Sequence, residues 1–164
     1  MKRHSAIVTL AASALAIGVF SKAAAQAAQD VVGTWEWVSV ENTASDGAIT
    51  HPFGPKPGGY LMFDRSGRFF WLITRPNRLK FASGRRDQGT ADENKATVQG
   101  SLAYAGTYAI EDRILIMKIE ASTYPNEEGA EQERAFTLSG DDLSWRNPTV
   151  STGASGVARL RRLK

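Results

Sequence analysis

A charged side chain on an apolar strand face is the first feature of this 164-residue sequence that suggests chemistry. Arg134 alternates with Phe136 and Leu138, and side chains two positions apart lie on the same face of a strand. The guanidinium therefore shares its face with two apolar residues, where it requires a hydrogen-bonding or anionic partner. The pattern predicts that Arg134 contacts either another side chain or the acidic group of a small ligand.

Numerous aromatic residues are the second feature, because inward-facing rings either fill a core or line an apolar small-molecule site. In such a site we expect Tyr108, like Arg134, to supply a polar group. A basic stretch over residues 75–86 is interpreted as solvated loop charge, except for Arg75, which the rigid Pro76 follows. The predicted ligand-binding residues are Leu61, Phe63, Trp71, Arg75, Tyr104, Tyr108, Met117, Arg134, Phe136 and Trp145.

The sequence offers few of the residues on which metal or catalytic sites are built. It has no cysteine, and its one histidine beyond residue 27, His51, lies in a Pro/Gly-rich loop where a backbone-pinning role is expected. The acidic segment 127–133 lacks the ligand pattern of an EF-hand, and no Ser-His-Asp set, P-loop or dinucleotide fingerprint is present. We therefore expect no metal and no cofactor, and assign no catalytic residue.

The first 27 residues have the three regions of a secretory signal peptide. Lys2 and Arg3 form a basic head, residues 6–20 are uncharged and mostly apolar, and Ala25-Gln26-Ala27 fits the recognition pattern of signal peptidase. We expect cleavage after Ala27, with Ala25 as the second option, and a periplasmic or secreted protein. The apolar run is shorter than the roughly 20 residues that span a bilayer, so no integral membrane segment is expected after cleavage.

Cleavage changes the charge of the chain. The full sequence has 20 basic and 17 acidic residues, and residues 1–27 contain three of the basic and none of the acidic ones. Residues 28–164 therefore have no net formal charge, which gives no electrostatic reason to expect nucleic acid as a partner. Their length suits one domain with one core, stabilised without disulfides. The oligomeric state is left open.

Strand-like segments separated by turn signals must position these residues. They cover residues 34–42, 60–64, 68–74, 106–110, 115–122, 133–138, 143–146 and 157–163. Thr90 and Glu93 have the spacing of a capping box, which predicts a helix that runs to about Leu102. Turns between sequential strands favour a mainly β, eight-stranded antiparallel up-and-down barrel with one short inserted helix over the alternative, a β-sandwich.

The period of two assigns faces to most of the strands, and leaves the inward face of residues 68–74 open. One predicted inward set is Leu115, Met117, Ile119 and Ala121, and a second is Gly106, Tyr108 and Ile110. Leu143 and Trp145 form a third. These assignments point most of the predicted ligand-binding residues into the barrel.

Several motifs give the sequence a family resemblance. Gly33-Thr34-Trp35 resembles the Gly-x-Trp of the lipocalin group, in which an Arg from the last strand usually covers the Trp, and Arg159 or Arg161 is the expected partner. A longer set resembles the small bacterial and fungal lipocalin-like domain family over about residues 32–163. The motifs and residues that make up this set are His51-Pro52-Phe53-Gly54, Gly59-Tyr60-Leu61, Gly67-Arg68, Arg75-Pro76, Phe81-Ala82-Ser83-Gly84, Ala103-Tyr104-Ala105-Gly106-Thr107-Tyr108, Glu120, Pro125-Asn126, Gly129 and Arg134.

The resemblance implies a calycin-type barrel with a helix inserted in mid-chain, and little about activity. A His that family members often carry before a Val-Glu pair is absent, because Met117-Lys118 precede Ile119-Glu120 here. The sequence as a whole predicts an exported barrel that binds a small apolar or amphipathic molecule. Two alternatives stay open: an isomerase or cyclase that uses Tyr104, Tyr108 or Arg134, and a ligand-free barrel with a structural or interaction role.

Overall fold

A computed structural model describes residues 29–147 and 155–164 of the chain. The predicted signal peptide, residues 1–27, lies outside the described residues. Within those two ranges, no helix combines the length and the apolar composition that crossing a membrane requires.

Antiparallel strands make up most of the described chain. The elements are β1 (Gly33–Thr43), β2 (Ile49–Thr50), β3 (Tyr60–Phe63), β4 (Arg68–Thr74), α1 (Ala91–Gln99), β5 (Ser101–Glu111), β6 (Ile114–Ser122), β7 (Glu131–Ser139), β8 (Asp142–Asn147) and β9 (Ser155–Arg162). From β3 to β9 each strand pairs with the next, and β1 pairs with both β3 and β9. Eight strands thus close a barrel, as predicted, while the two-residue β2 pairs only with the last two residues of β1.

One end of the barrel is closed by the pair Trp35 and Arg162. The Trp35 ring is fully buried, and its indole N–H donates to the Val31 carbonyl at 2.9 Å. The guanidinium carbon of Arg162 lies 4.1 Å above the centre of that ring, and Nη1 donates to the Val32 carbonyl at 2.6 Å. A second bond runs from Nη2 to the Asp30 carbonyl. This arrangement covers the apolar interior at the closed end.

The prediction that Arg159 or Arg161 covers Trp35 is wrong. Both side chains are exposed, where Arg159 pairs with Glu41 and Arg161 pairs with Asp142. β9 continues to Arg162, which shares the inward face of the strand with Leu160 because side chains alternate.

The inward faces of the strands form one continuous core. In β4 the inward residues are Phe69, Trp71 and Ile73, which settles the face that the sequence left open. The most completely buried side chains, with under 2 % of their surface exposed, include Leu61, Ile73, Leu115, Met117, Ile119, Leu143 and Leu160.

The helix begins as predicted and ends earlier. Thr90 and Glu93 form the complete capping box, but α1 stops at Gln99, and the N–H of Gly100 donates to the Ala96 carbonyl at 2.9 Å. β5 then begins at Ser101 rather than at Gly106. Leu102 is therefore a strand residue, not the end of the helix.

The predicted inward position of Ala121 is also wrong. The pairing of β5 with β6 shifts by one residue between Ala105–Ala121 and Gly106–Ile119, so Glu120 is an extra residue and Ala121 is exposed. The shift occurs where the two backbones approach closely, since a Cβ at Gly106 would collide with the Lys118 carbonyl.

Candidate functional site

A cavity of about 590 Å³ opens at the end of the barrel opposite the Trp35–Arg162 closure. Its walls come from β1, β4, β5, β7, β8 and β9, from the loop after β2 and from the segment between β6 and β7. Much of the lining is aromatic or aliphatic, and includes Phe53, Trp71, Ile73, Leu102, Tyr104 and Trp145. The volume lies within the range of roughly 300–1,000 Å³ that small-molecule sites occupy.

Three stacked or tilted rings form an aromatic wall of this cavity. Trp71 stacks on Tyr104 with ring centroids 4.9 Å apart and lies 5.6 Å from Trp145. Trp37 supports them from β1, with its centroid 4.5 Å from that of Trp71, but does not itself line the cavity. Flat, rigid walls of this kind suit a planar or apolar guest.

Arg134 lies on the inward face of β7 against this aromatic wall. Only 8 % of its surface is exposed, and its guanidinium carbon lies 5.4 Å from the Trp71 ring centre and 5.9 Å from that of Trp145. Nη2 donates to Gln132 Oε1 at 2.6 Å, and the Gln132 amide in turn donates to the Glu127 carboxylate. Gln132 thus links the guanidinium to a carboxylate.

Four buried side-chain nitrogens in the described part of the chain have no hydrogen-bond partner. They are Nε and Nη1 of Arg134 and the indole nitrogens of Trp71 and Trp145, and all three residues line the cavity. An unpaired buried donor costs about 1–3 kcal/mol. By contrast, the Trp35 and Trp37 indoles donate to main-chain carbonyls at 2.9 and 2.8 Å. The unpaired donors are therefore concentrated at the cavity.

Tyr104 adds a neutral phenol to the wall. Burial raises the pKa of Tyr104 well above its usual value, and the nearby positive charge of Arg134 only partly offsets this effect. The phenol therefore stays protonated at neutral pH. The cavity wall thus combines apolar rings, one phenol and several N–H donors, a chemistry suited to holding a molecule that carries a hydrogen-bond acceptor.

The mouth of the cavity is shaped by the loop between β2 and β3. Arg75 Nε donates to the Pro52 carbonyl at 2.6 Å, and this holds Pro52 and Phe53 at the cavity edge. At Gly58 the loop also exchanges two backbone hydrogen bonds with Thr74, of 2.8 and 3.0 Å. Arg75 therefore acts on the site by positioning the loop, and its own side chain borders a smaller groove beside α1.

The structure brings together four of the ten sequence-predicted site residues: Trp71, Tyr104, Arg134 and Trp145 line the cavity. The Tyr108 hydroxyl instead donates to the Asp64 carbonyl at 2.8 Å, at the turn between β3 and β4. The others that do not line the cavity are the loop-positioning Arg75 and the packed core residues Leu61, Phe63, Met117 and Phe136.

Several lining residues were not predicted, although following the inward alternation of a strand by one more position would have identified them. Ile73 lies two positions beyond Trp71, Leu102 lies two before Tyr104, and Gln132 lies two before Arg134. Each continues the inward alternation of its strand towards the open end. The lining residue Phe53 carried a different signal, its place in the His51-Pro52-Phe53-Gly54 motif.

Comparison with known proteins identifies a family and a similar carrier protein. The model of a family described as a lipocalin-like domain matches residues 32–160. The chain is also similar to the 4'-hydroxy-3'-methoxypropiophenone carrier protein ppsC of Aspergillus oryzae, with 35% identity over 91 residues. That alignment covers 49% of this chain and 82% of the relative.

Proposed function

The chain belongs to the lipocalin-like domain family, and from that premise we propose that it binds and carries a small, largely apolar molecule in the open-end cavity. The observation that carries the proposal is the cavity itself, about 590 Å³ of space beside the wall of Trp71, Tyr104 and Trp145. A barrel with a purely structural role has no need of such a space, since inward side chains fill small barrels.

The carrier role is supported by the relative in Aspergillus oryzae, whose name describes a carrier of an aromatic ketone. A guest of similar size that buries about 250 Å² of apolar surface gains roughly 6 kcal/mol from the hydrophobic effect. This gain alone corresponds to a dissociation constant of about 40 μM. Because association itself has a cost, we expect binding through apolar contact alone to be weaker than that value.

We also propose that the carrier works in the periplasm or outside the cell, after removal of residues 1–27. The support is the order of the basic head, the apolar run and the Ala25-Gln26-Ala27 site in the sequence.

Binding is tested by titrating the protein with phenylnaphthylamine, an uncharged apolar dye whose fluorescence rises in apolar surroundings. We expect saturable binding of one dye per chain. Ala158→Phe places a ring in the cavity, because Ala158 is 95 % buried in β9 and lines the space. This variant should weaken dye binding by about tenfold or more.

Ala135→Phe is the matched control, since Ala135 lies next to Arg134 on the exposed outer face of β7. It adds the same ring outside the barrel and should leave dye binding unchanged. If the wild-type protein binds no dye, or if both variants bind it as well as the wild type does, the proposed carrier function is wrong.

A further inference from the structure

The geometry points to the way in which the guest is recognised, an inference that rests on the proposed function. We infer that the ligand is an apolar or aromatic molecule that carries an acceptor oxygen, a carbonyl or a carboxylate, and that binds with this oxygen innermost. The N–H groups of Arg134, Trp71 and Trp145 receive the oxygen.

The unpaired polar groups of the cavity are all of one kind. The four buried side-chain polar atoms without a partner in residues 29–147 and 155–164 are all donors, and all belong to cavity-lining residues. A carbonyl or carboxylate oxygen offers only acceptor sites, so it complements this set, whereas an amine or a hydrocarbon leaves part of it unpaired. The cavity therefore selects the polarity of the innermost group.

The positive charge of Arg134 also favours an acceptor oxygen. None of the ion pairs formed by the described residues includes Arg134, and its link to the Glu127 carboxylate passes through the Gln132 amide. A hydrogen bond from a charged donor is stronger than one between neutral groups, so the acceptor oxygen gains most beside this guanidinium. Glu127 also borders the cavity, and its carboxylate opposes a bound carboxylate more than a neutral carbonyl.

The three donor residues lie close enough together to contact one oxygen-bearing group. The Arg134 guanidinium carbon and the ring centres of Trp71 and Trp145 form a triangle with sides of 5.4, 5.9 and 5.6 Å. One oxygen-bearing group placed at the triangle is near all three. The unpaired nitrogens have almost no exposed surface, so binding includes a rotation of these side chains towards the guest, which should change the tryptophan fluorescence.

The test compares three probes of nearly equal shape by their ability to displace phenylnaphthylamine. Acetonaphthone carries a carbonyl, naphthoate carries a carboxylate, and ethylnaphthalene has a methylene group in place of the ketone carbonyl. We expect at least one oxygen-bearing probe to bind about tenfold more tightly than ethylnaphthalene. If acetonaphthone binds more tightly than ethylnaphthalene, a carbonyl is sufficient for recognition. If only naphthoate binds more tightly, the carboxylate is the recognised group.

Repeating the three-probe comparison in variants identifies which N–H donors produce the tighter binding of the oxygen-bearing probes. Arg134→Met keeps a long side chain between the rings but has no N–H, and should abolish the advantage of the oxygen-bearing probes while ethylnaphthalene still binds. Trp145→Phe removes one indole donor and should reduce the advantage about threefold. Arg159→Met is the control, because Arg159 is an exposed arginine of β9 that pairs with Glu41, outside the cavity. It should preserve the full advantage.

Equal binding of all three probes by the wild type overturns this inference and leaves the carrier function standing. So does an advantage that persists in both Arg134→Met and Trp145→Phe. If none of the probes and no dye bind, the proposed function itself fails. Retained binding of ethylnaphthalene in each variant demonstrates that its cavity is intact.

Discussion

The same substitution at two arginines of the barrel should change the stability of the fold by very different amounts. Arg162 covers Trp35 at the closed end, and its nitrogens donate to the carbonyls of Val32 and Asp30. Arg134 borders the open cavity, and two of its three nitrogens have no partner. We predict that Arg162→Met strongly destabilises the fold, while Arg134→Met changes the stability little.

The magnitudes follow from the contacts. At Arg162, whose side chain is 24% exposed, the two hydrogen bonds contribute about 1 kcal/mol each and the contact with the ring about 1 kcal/mol, a loss of about 3 kcal/mol in total. At Arg134 the substitution loses one hydrogen bond and two ring contacts, about 3–4 kcal/mol. It also removes two unpaired buried donors, which together cost about 2–6 kcal/mol, so the two effects largely cancel at their middle values and the loss of stability should be well below that at Arg162.

Urea unfolding followed by tryptophan fluorescence measures both changes, since all four tryptophans are at least 93 % buried. For a domain of this size, 3 kcal/mol corresponds to a melting temperature about 10 °C lower, and thermal unfolding by circular dichroism provides the second readout. If Arg134→Met destabilises the protein as much as Arg162→Met does, then Arg134 serves the fold, and the reasoning from unpaired donors is refuted.

Three further predictions test other parts of the account. Arg75→Met removes the hydrogen bond to the Pro52 carbonyl and frees the loop, so it should weaken phenylnaphthylamine binding about threefold. The unfolding free energy should change by less than about 1 kcal/mol. Unchanged affinity for the dye would show that Arg75 does not position the loop. Burial raises the pKa of Tyr104 above the ordinary value of 10.0, so the unfolded chain ionises first, and stability that is complete below pH 10.0 should fall as the pH rises further. Tyr104→Phe should lose less stability than the wild type over that alkaline range in urea unfolding, and identical pH profiles would contradict this. Expression of the full chain in a Gram-negative host should yield a periplasmic or secreted form whose intact mass begins at Ala28, and a mass that retains residues 1–27 would contradict the export proposal.

The architecture was predictable from the sequence because strand alternation and short turns are local signals. Pairing between strands was not, since it depends on contacts that no single segment encodes. The shift at Gly106 exists because two backbones approach there, and it turns Ala121 outwards against its own local pattern. α1 ends at its C-cap Gly100, and β5 begins directly after it at Ser101, so strand pairing takes over where the sequence pattern extended the helix.

The sequence predicts which residues of the candidate site point into the barrel, but not how far each lies from the open end. Alternation identifies which residues point inwards, and it found Trp71, Tyr104, Arg134 and Trp145. It gives no height along the barrel axis, which is set by the tilt and register of the strands, so buried core residues such as Met117 were grouped with lining residues.

The loop contacts at the mouth show how separate motifs join in space. Gly54 has a positive φ of 78°, and a Cβ there would lie 3.1 Å from the ring of Pro76. The hydrogen bond from Arg75 to Pro52 runs between the same two segments. The motifs His51-Pro52-Phe53-Gly54 and Arg75-Pro76 therefore form one structural unit, although more than 20 residues separate them in the chain.

A crystal structure of the protein with acetonaphthone bound tests the central claim most directly. The account predicts the naphthalene rings beside Trp71 and Tyr104, with the ketone oxygen about 3 Å from a nitrogen of Arg134, Trp71 or Trp145. A ketone oxygen that points out of the mouth, or a probe bound only on the outer surface of the barrel, would contradict it.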